Sequence, residues 1–396
     1  YESSVCVKIS TMPQIPKLTK IIATVGPASE TPETLEKLAK AGVNLFRLNT
    51  KHNTLDWHLS IITAIKRTVP QAGIIVDLQG PEIRLESSPS NAPTLTSMDM
   101  EILKALPKDV DFIALSYVRN KMDIITLQNE LKRLKLNSKI IAKIENQEGL
   151  DNIDQIVTEA DAIMIARGDL GKETPAEKIP YLQKIIINKC RNAAKPVIVA
   201  TEMLLSMTKS ATPTRAEIAD VANAVYDRAD AVMLSEETAV GKFPVDAVET
   251  MVRTVAFNEK QESLGVDFVP DSLDQTHAVV RSALTMLEPF SGVNVSKLVV
   301  GTQTGYTAQV FSSYRPKVPI LALSDKKSTV GILNLSYGVF PIFVDFSAQD
   351  FSDLDVLTAH LKDLGLVSMD EMVLFVHGKR TNDPGKTNSL AVLRVD

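Results

Sequence analysis

Cysteine is nearly missing from this sequence: 396 residues include two, Cys6 and Cys190. Two residues so far apart make no disulfide framework, which suits a reducing, cytoplasmic setting. No apolar run approaches the roughly 18–20 residues of a membrane span, so no membrane partner is expected. The first residues, Tyr1-Glu2-Ser3-Ser4, carry neither a basic region nor an apolar stretch of the kind a signal peptide needs. No long Lys/Arg block occurs and the net charge is −5, which argues against nucleic acid as a partner. The five histidines show no metal-ligand spacing, so a zinc site is not expected. Pro384-Gly385-Lys386-Thr387 ends like a phosphate-binding loop, but Arg380 stands where that motif needs glycine.

What is present is an ordinary globular balance, 44% apolar and 23% charged, over a length that fits two domains. Short β-branched runs recur: Lys20–Gly26, Asn44–Asn49, Gly73–Leu78, Phe112–Val118, Lys139–Glu145, Ala162–Gly168, Pro196–Met203 and Ala231–Ser235. Near-continuous apolar runs suit parallel strands covered on both faces. Helix-start chemistry falls between them. Thr31-Pro32-Glu33 offers a cap followed by proline, and Thr174–Glu177 and Thr214–Glu217 read as capping boxes. Eight β/α units predict a TIM (β/α)8 barrel over residues 1–260. A polar Ser/Pro loop at 85–93 joins the third strand to the next helix. Residues 261–273 read as a linker. Residues 274–396 read as an open-sheet α/β domain, with strands at Leu298–Gly301, Pro319–Leu323, Phe340–Phe346, Met372–His377 and Ala391–Val395.

Barrel active sites lie at the carboxyl ends of the strands. The polar residues there are Arg47 and Asn49, Asp77, Ser116 and Arg119, Lys143 and Glu145, Arg167-Gly168-Asp169, Thr201, and Ser235-Glu236-Glu237. Lys143 and Glu145 are two apart on one strand, so they point to the same side. A cation beside a carboxylate, with Asp169 on the next strand, suits a divalent ion next to an anionic substrate. A buried structural ion pair is the plainer alternative, and it is costly without a function. Amides after Gly168 could take a carboxylate or phosphate.

These residues sit in stretches that resemble pyruvate kinases: Lys20–Ser29 (KIIATVGPAS), Gly80–Arg84 (GPEIR), Lys139–Asp154 (KIIAKIENQEGLDNID), Ile165–Gly171 (IARGDLG), Pro213–Val225 (PTRAEIADVANAV) and Ala231–Gly241 (AVMLSEETAVG). The resemblance implies transfer of the phosphoenolpyruvate phosphoryl group to ADP, giving pyruvate and ATP. It implies that Lys143 stabilises the moving phosphoryl group and the enolate. Glu145 and Asp169 would hold Mg²⁺ or Mn²⁺. Gly168, Asp169 and Thr201 would grip the substrate carboxylate, and Arg47 its phosphate. Arg84 and His52 would lie on the nucleotide side. Asn49, Asp77 and Leu78 would line a K⁺ pocket. Thr302, Thr304, Gly305, Thr307 and Arg380 would form a sugar-phosphate effector cradle, and the assembly would be a homotetramer.

The sequence departs from the family in three places. The lid domain that the family inserts after Gly80–Arg84 is replaced by 85–93. Lys51 stands where the family has a K⁺-binding serine, so its ammonium is expected to replace the ion, whereas Glu82 belongs to the potassium-dependent branch. Glu202 and Glu236 replace Gln and Gly near the anion site. Two other functions stay open at this point: a lidless sensor of phosphoenolpyruvate or sugar phosphate, and a metal-dependent oxaloacetate decarboxylase or lyase.

Overall fold

Eight short parallel strands close on themselves in chain order in the computed structural model, which describes residues 17–81, 93–261, 268–288, 291–347, 351, 353–378 and 387–396. They are β1 (Lys20–Thr24), β2 (Leu45–Asn49), β3 (Gly73–Asp77), β4 (Phe112–Leu115), β5 (Lys139–Ile144), β6 (Ala162–Ala166), β7 (Val197–Ala200) and β8 (Ala231–Leu234). Nearly every position in them is buried, which is why they read as apolar runs rather than as alternation. The barrel unit spans Thr19–Asp271 and also takes in Asn334–Tyr337.

Local chemistry starts the helices. Thr31 caps Pro32–Ala41 by accepting from the Thr34 amide. Thr214 and Glu217 form the expected reciprocal capping box on Arg215–Tyr226. Thr96 and Asp99 form a second box on Ser97–Ala105, one the sequence reading passed over. The box expected at Thr174–Glu177 does not form: Thr174 ends the helix Arg167–Glu173, and no side chain caps the 3₁₀ turn Ala176–Lys178.

The amino end of the barrel carries a repeated device. Asn44, Asp111, Asp161 and Asp230 immediately precede β2, β4, β6 and β8. Each accepts the amide of a residue on the preceding odd strand: Ile21 at 3.0 Å, Ile74 at 2.8 Å, Ile140 at 2.9 Å and Val197 at 3.1 Å. These bonds satisfy amides that the parallel ladder leaves over at its edge.

The second unit holds a five-stranded sheet in the order β11-β10-β9-β12-β13, with β9 (Val295–Gly301), β10 (Ile320–Ser324), β11 (Val339–Phe343), β12 (Met372–Gly378) and β13 (Thr387–Arg394). All pairs are parallel except β12 with β13. No helix among the described residues is long and apolar enough to cross a membrane.

Candidate active site at the barrel mouth

The carboxyl ends of β3, β4 and β5 bring one lysine against two acids and a serine. Lys143, 8% exposed, donates to Ser116 Oγ at 2.7 Å. Its Nζ also lies 3.1 Å from Asp77 Oδ1 and 2.9 Å from Glu145 Oε1. Burial pulls the lysine pKa down, but Asp77 and Glu145 outweigh it and the net shift is upward, so the ammonium is charged at neutral pH. Asp77, 1% exposed, also meets Arg47, whose Nε and Nη2 reach Oδ2 at 2.8 and 2.7 Å. Burial pushes Asp77 up, yet Lys143 and Arg47 hold its pKa below the usual value. Arg47 donates to Thr24 Oγ1 as well, at 3.1 Å.

Glu145, 2% exposed, accepts the Tyr117 amide on its other oxygen at 2.8 Å. Burial, and then the negative fields of both Glu145 and Asp169, push the Tyr117 phenol pKa up. The two carboxylates therefore act on one region of space. Carboxylate oxygens are the hard donors that a Mg²⁺ or Mn²⁺ ion takes together with substrate and water; here both Glu145 oxygens are partnered by Lys143 and the Tyr117 amide. Asp169 pairs with Lys172 at 2.7 Å. Ser116, which fixes Lys143, accepts close backbone packing from Gly80: a Cβ there would lie 3.0 Å from the Ser116 carbonyl, and its φ is +64°.

Across the mouth, the Gly168 amide donates to Thr201 Oγ1 at 2.8 Å. Thr201 and Glu202 both take left-handed backbone, with φ of +70° and +55°. Two such residues in a row, one of them β-branched, cost of order 1–3 kcal/mol each. Glu202 Oε1 comes within 4.0 Å of where a Cβ on Gly168 would sit. Glu236 is exposed, whereas Glu237 is buried and caps the Leu204 and Ser235 amides.

Asn49 Oδ1 accepts the Lys51 amide, Leu78 is apolar and buried, and the Lys51 side chain is exposed in the turn. Arg47 and Lys143 are cations that meet Asp77. His52 is exposed, and its carbonyl accepts from His58 Nε2 at 2.8 Å. Glu82, Arg84 and Arg380 lie outside the described residues. In the α/β unit, Thr302 Oγ1 accepts the Gly305 amide and Thr304 Oγ1 that of Tyr306. Thr307 pairs with Thr387, and the Tyr306 hydroxyl donates to Asp274 at 3.0 Å. Sequence reasoning missed Tyr117, Asp220 and Asp274; Asp220 sits inside a quoted stretch, but nothing in its spacing points to Arg167.

A family model described as "Pyruvate kinase, barrel domain" matches residues 16–92 and 88–248, and "Pyruvate kinase, alpha/beta domain" matches 277–393. The chain belongs to the pyruvate kinase family. It is 32% identical to the pyruvate kinase of Thermococcus litoralis, over 95% of this chain and 98% of that one. That of Staphylococcus epidermidis is 31% identical, over 94% of this chain and 80% of its own. The crystal structure of a pyruvate kinase from Cryptosporidium parvum superposes with a TM-score of 0.86 at 29% identity, covering 96% and 97%. The Thermococcus alignment runs over 474 positions, more than this chain has, so a long stretch of that relative faces gaps here. The two barrel matches meet at 88–92, where the family's lid domain would stand, and no lid domain matches.

Proposed function

We propose that this chain moves the phosphoryl group of phosphoenolpyruvate to ADP, giving pyruvate and ATP. The observation that carries this reading is the Lys143 ammonium, held charged among Asp77, Glu145 and Ser116 at the mouth of a barrel of this family. A fixed cation in a water-poor site stabilises charge that develops during transfer, without reorganising. The bond between phosphorus and the enol oxygen breaks, a bond to the terminal ADP oxygen forms, and the enolate takes a proton on carbon to become pyruvate. Lys143 faces the enol oxygen and the moving phosphoryl group. Arg47 holds the phosphate, and the Gly168 and Asp169 amides with the Thr201 hydroxyl hold the carboxylate once the Gly168–Thr201 and Thr201–Ala200 bonds of the free site open. Glu145 and Asp169 would hold Mg²⁺ or Mn²⁺, which supplies electrostatic stabilisation of the phosphoryl oxygens.

Two departures shape the reading. Lys51 stands where the family has a K⁺-binding serine, so the proposed activity does not depend on K⁺. Without a lid domain the nucleotide side loses the closure that excludes water, so a weak hold on ADP is expected. Asp274, an anion bonded to Tyr306 of the proposed effector cradle, would repel a sugar phosphate there; Asp274→Asn should lower the concentration of sugar bisphosphate needed for any activation. The homotetramer is part of the same proposal and is checked by light scattering.

The deciding experiment is a coupled assay with phosphoenolpyruvate, ADP and Mg²⁺, with and without K⁺. Pyruvate formation that needs ADP supports the reading, and strict dependence on K⁺ contradicts the replacement of K⁺ by Lys51. Phosphoenolpyruvate binding without turnover points instead to a sensor. Pyruvate made from oxaloacetate without ADP points to a lyase.

A further inference from the structure

Arg167 is buried one residue before Gly168, and none of the roles above uses it. Its guanidinium grips Asp220 with two parallel bonds, Nη1 to Oδ1 and Nη2 to Oδ2, both 2.7 Å. The same Nη2 donates to the Thr201 carbonyl at 2.7 Å, and it lies 3.4 Å from the Glu202 carbonyl and 2.9 Å from Met203 Sδ. One planar group thus donates to the Thr201 carbonyl and lies against that of Glu202, the two residues that stand in left-handed backbone. A turn strained at two successive non-glycine positions persists only where its surroundings over-determine it.

We propose that Arg167, oriented by Asp220, is a positioning residue for substrate: it holds the strained Thr201–Glu202 turn so that the Thr201 hydroxyl stays beside the Gly168 amide, where both can turn to the substrate. The chain geometry makes this coupling direct. Arg167 precedes Gly168 on one side of the mouth and bonds the Thr201 carbonyl on the other, so it fixes both partners of the 2.8 Å contact. The proposal rests on the reading above that these groups take the substrate carboxylate. Arginine is required because a lysine has no planar fork with which to hold Asp220 and the Thr201 carbonyl together. An ion pair serving only the fold would lower stability without favouring one substrate over the other.

The test uses the full chain with Arg167→Lys and Asp220→Asn. Asp220→Asn keeps the shape of the pair and guards against a failure of the first variant to fold. Both are expected to raise the KM for phosphoenolpyruvate by roughly 10-fold or more while the KM for ADP stays within about twofold. Amide hydrogen exchange should rise in peptides covering Val199–Met203 and not in those covering β3 and β4. Unchanged exchange at Val199–Met203 in both folded variants, or an equal rise in both KM values, would overturn the inference. Wild-type protein that neither binds nor turns over phosphoenolpyruvate would overturn the functional reading on which the substrate half rests, while the exchange result still decides whether Arg167 holds the turn.

Discussion

At the mouth of the barrel, Asp77 lies between Arg47 and Lys143. At the opposite end, Asp111 lies under the Ile74 amide in an environment where burial dominates, and its pKa is pushed up to about 6. The same side chain type is driven in opposite directions by what surrounds it. At the mouth, cations from neighbouring strands outweigh desolvation, and Asp77 stays ionised with organised charge around it. At the floor, a backbone amide satisfies the carboxylate geometrically but supplies too little charge to offset burial. One end keeps charge poised for chemistry. The other uses acids as edge caps, in keeping with barrels whose chemistry sits at the carboxyl ends of their strands.

The largest test of this contrast is Lys143→Met. It removes the cation that both buried acids share. Phosphoryl transfer should fall by at least roughly 10²–10³. Stability should fall by about 3–5 kcal/mol while the barrel still folds, because Glu145 loses its only described cation. Coupled kinetics alongside circular dichroism and urea melts check both halves. Near-normal turnover would remove the site assignment. Asp77→Asn comes next, with an expected loss of about 3 kcal/mol at neutral pH, because Arg47 and Lys143 then face each other without their common acid. Asp77 has a folded pKa below its unfolded value. Its contribution is therefore complete above the unfolded pKa and fades as pH falls through the folded one. Urea melts from pH 7 to pH 3 should show that acid loss in the wild type and a flatter response in the variant.

Much of the mouth was legible in the sequence because its chemistry sits on a rigid period. Lys143 and Glu145 share a side by strand alternation, and the strand ends follow from where the apolar runs stop. The eight barrel strands were legible for the same reason. What escaped depends on contacts far apart in the chain. Asp220 meets Arg167 from a helix, and no local spacing announces that pair. Lys51 was placed in the cation pocket by alignment with a family motif; it stands exposed in the turn after β2. The fourfold Asx cap was in view all along as Asn44-Leu45, Asp111-Phe112, Asp161-Ala162 and Asp230-Ala231. It gains meaning only once the strands are known to pair in chain order.

The floor gives the smaller and opposite predictions. Asp111 has a folded pKa of about 6, above its unfolded value, so its contribution is fully present below about pH 4 and is lost as pH rises through about 6. Asp111→Asn should therefore stabilise the protein at pH 7–8 by about 1–3 kcal/mol, with the gain shrinking toward pH 4. A variant less stable than wild type at pH 8 would show that the Ile74 cap needs the charge. Asp161→Ala is the mildest case. It leaves the Ile140 amide without its 2.9 Å acceptor and removes a half-exposed pair with Lys139. The amide accounts for most of the expected loss of about 1 kcal/mol, since exposed pairs contribute little. Turnover should not change, because the floor touches no substrate. If Asp161→Ala lowered kcat in proportion to a mouth variant, the two ends would be coupled through the strands, and the division between a charged mouth and a capped floor would fail.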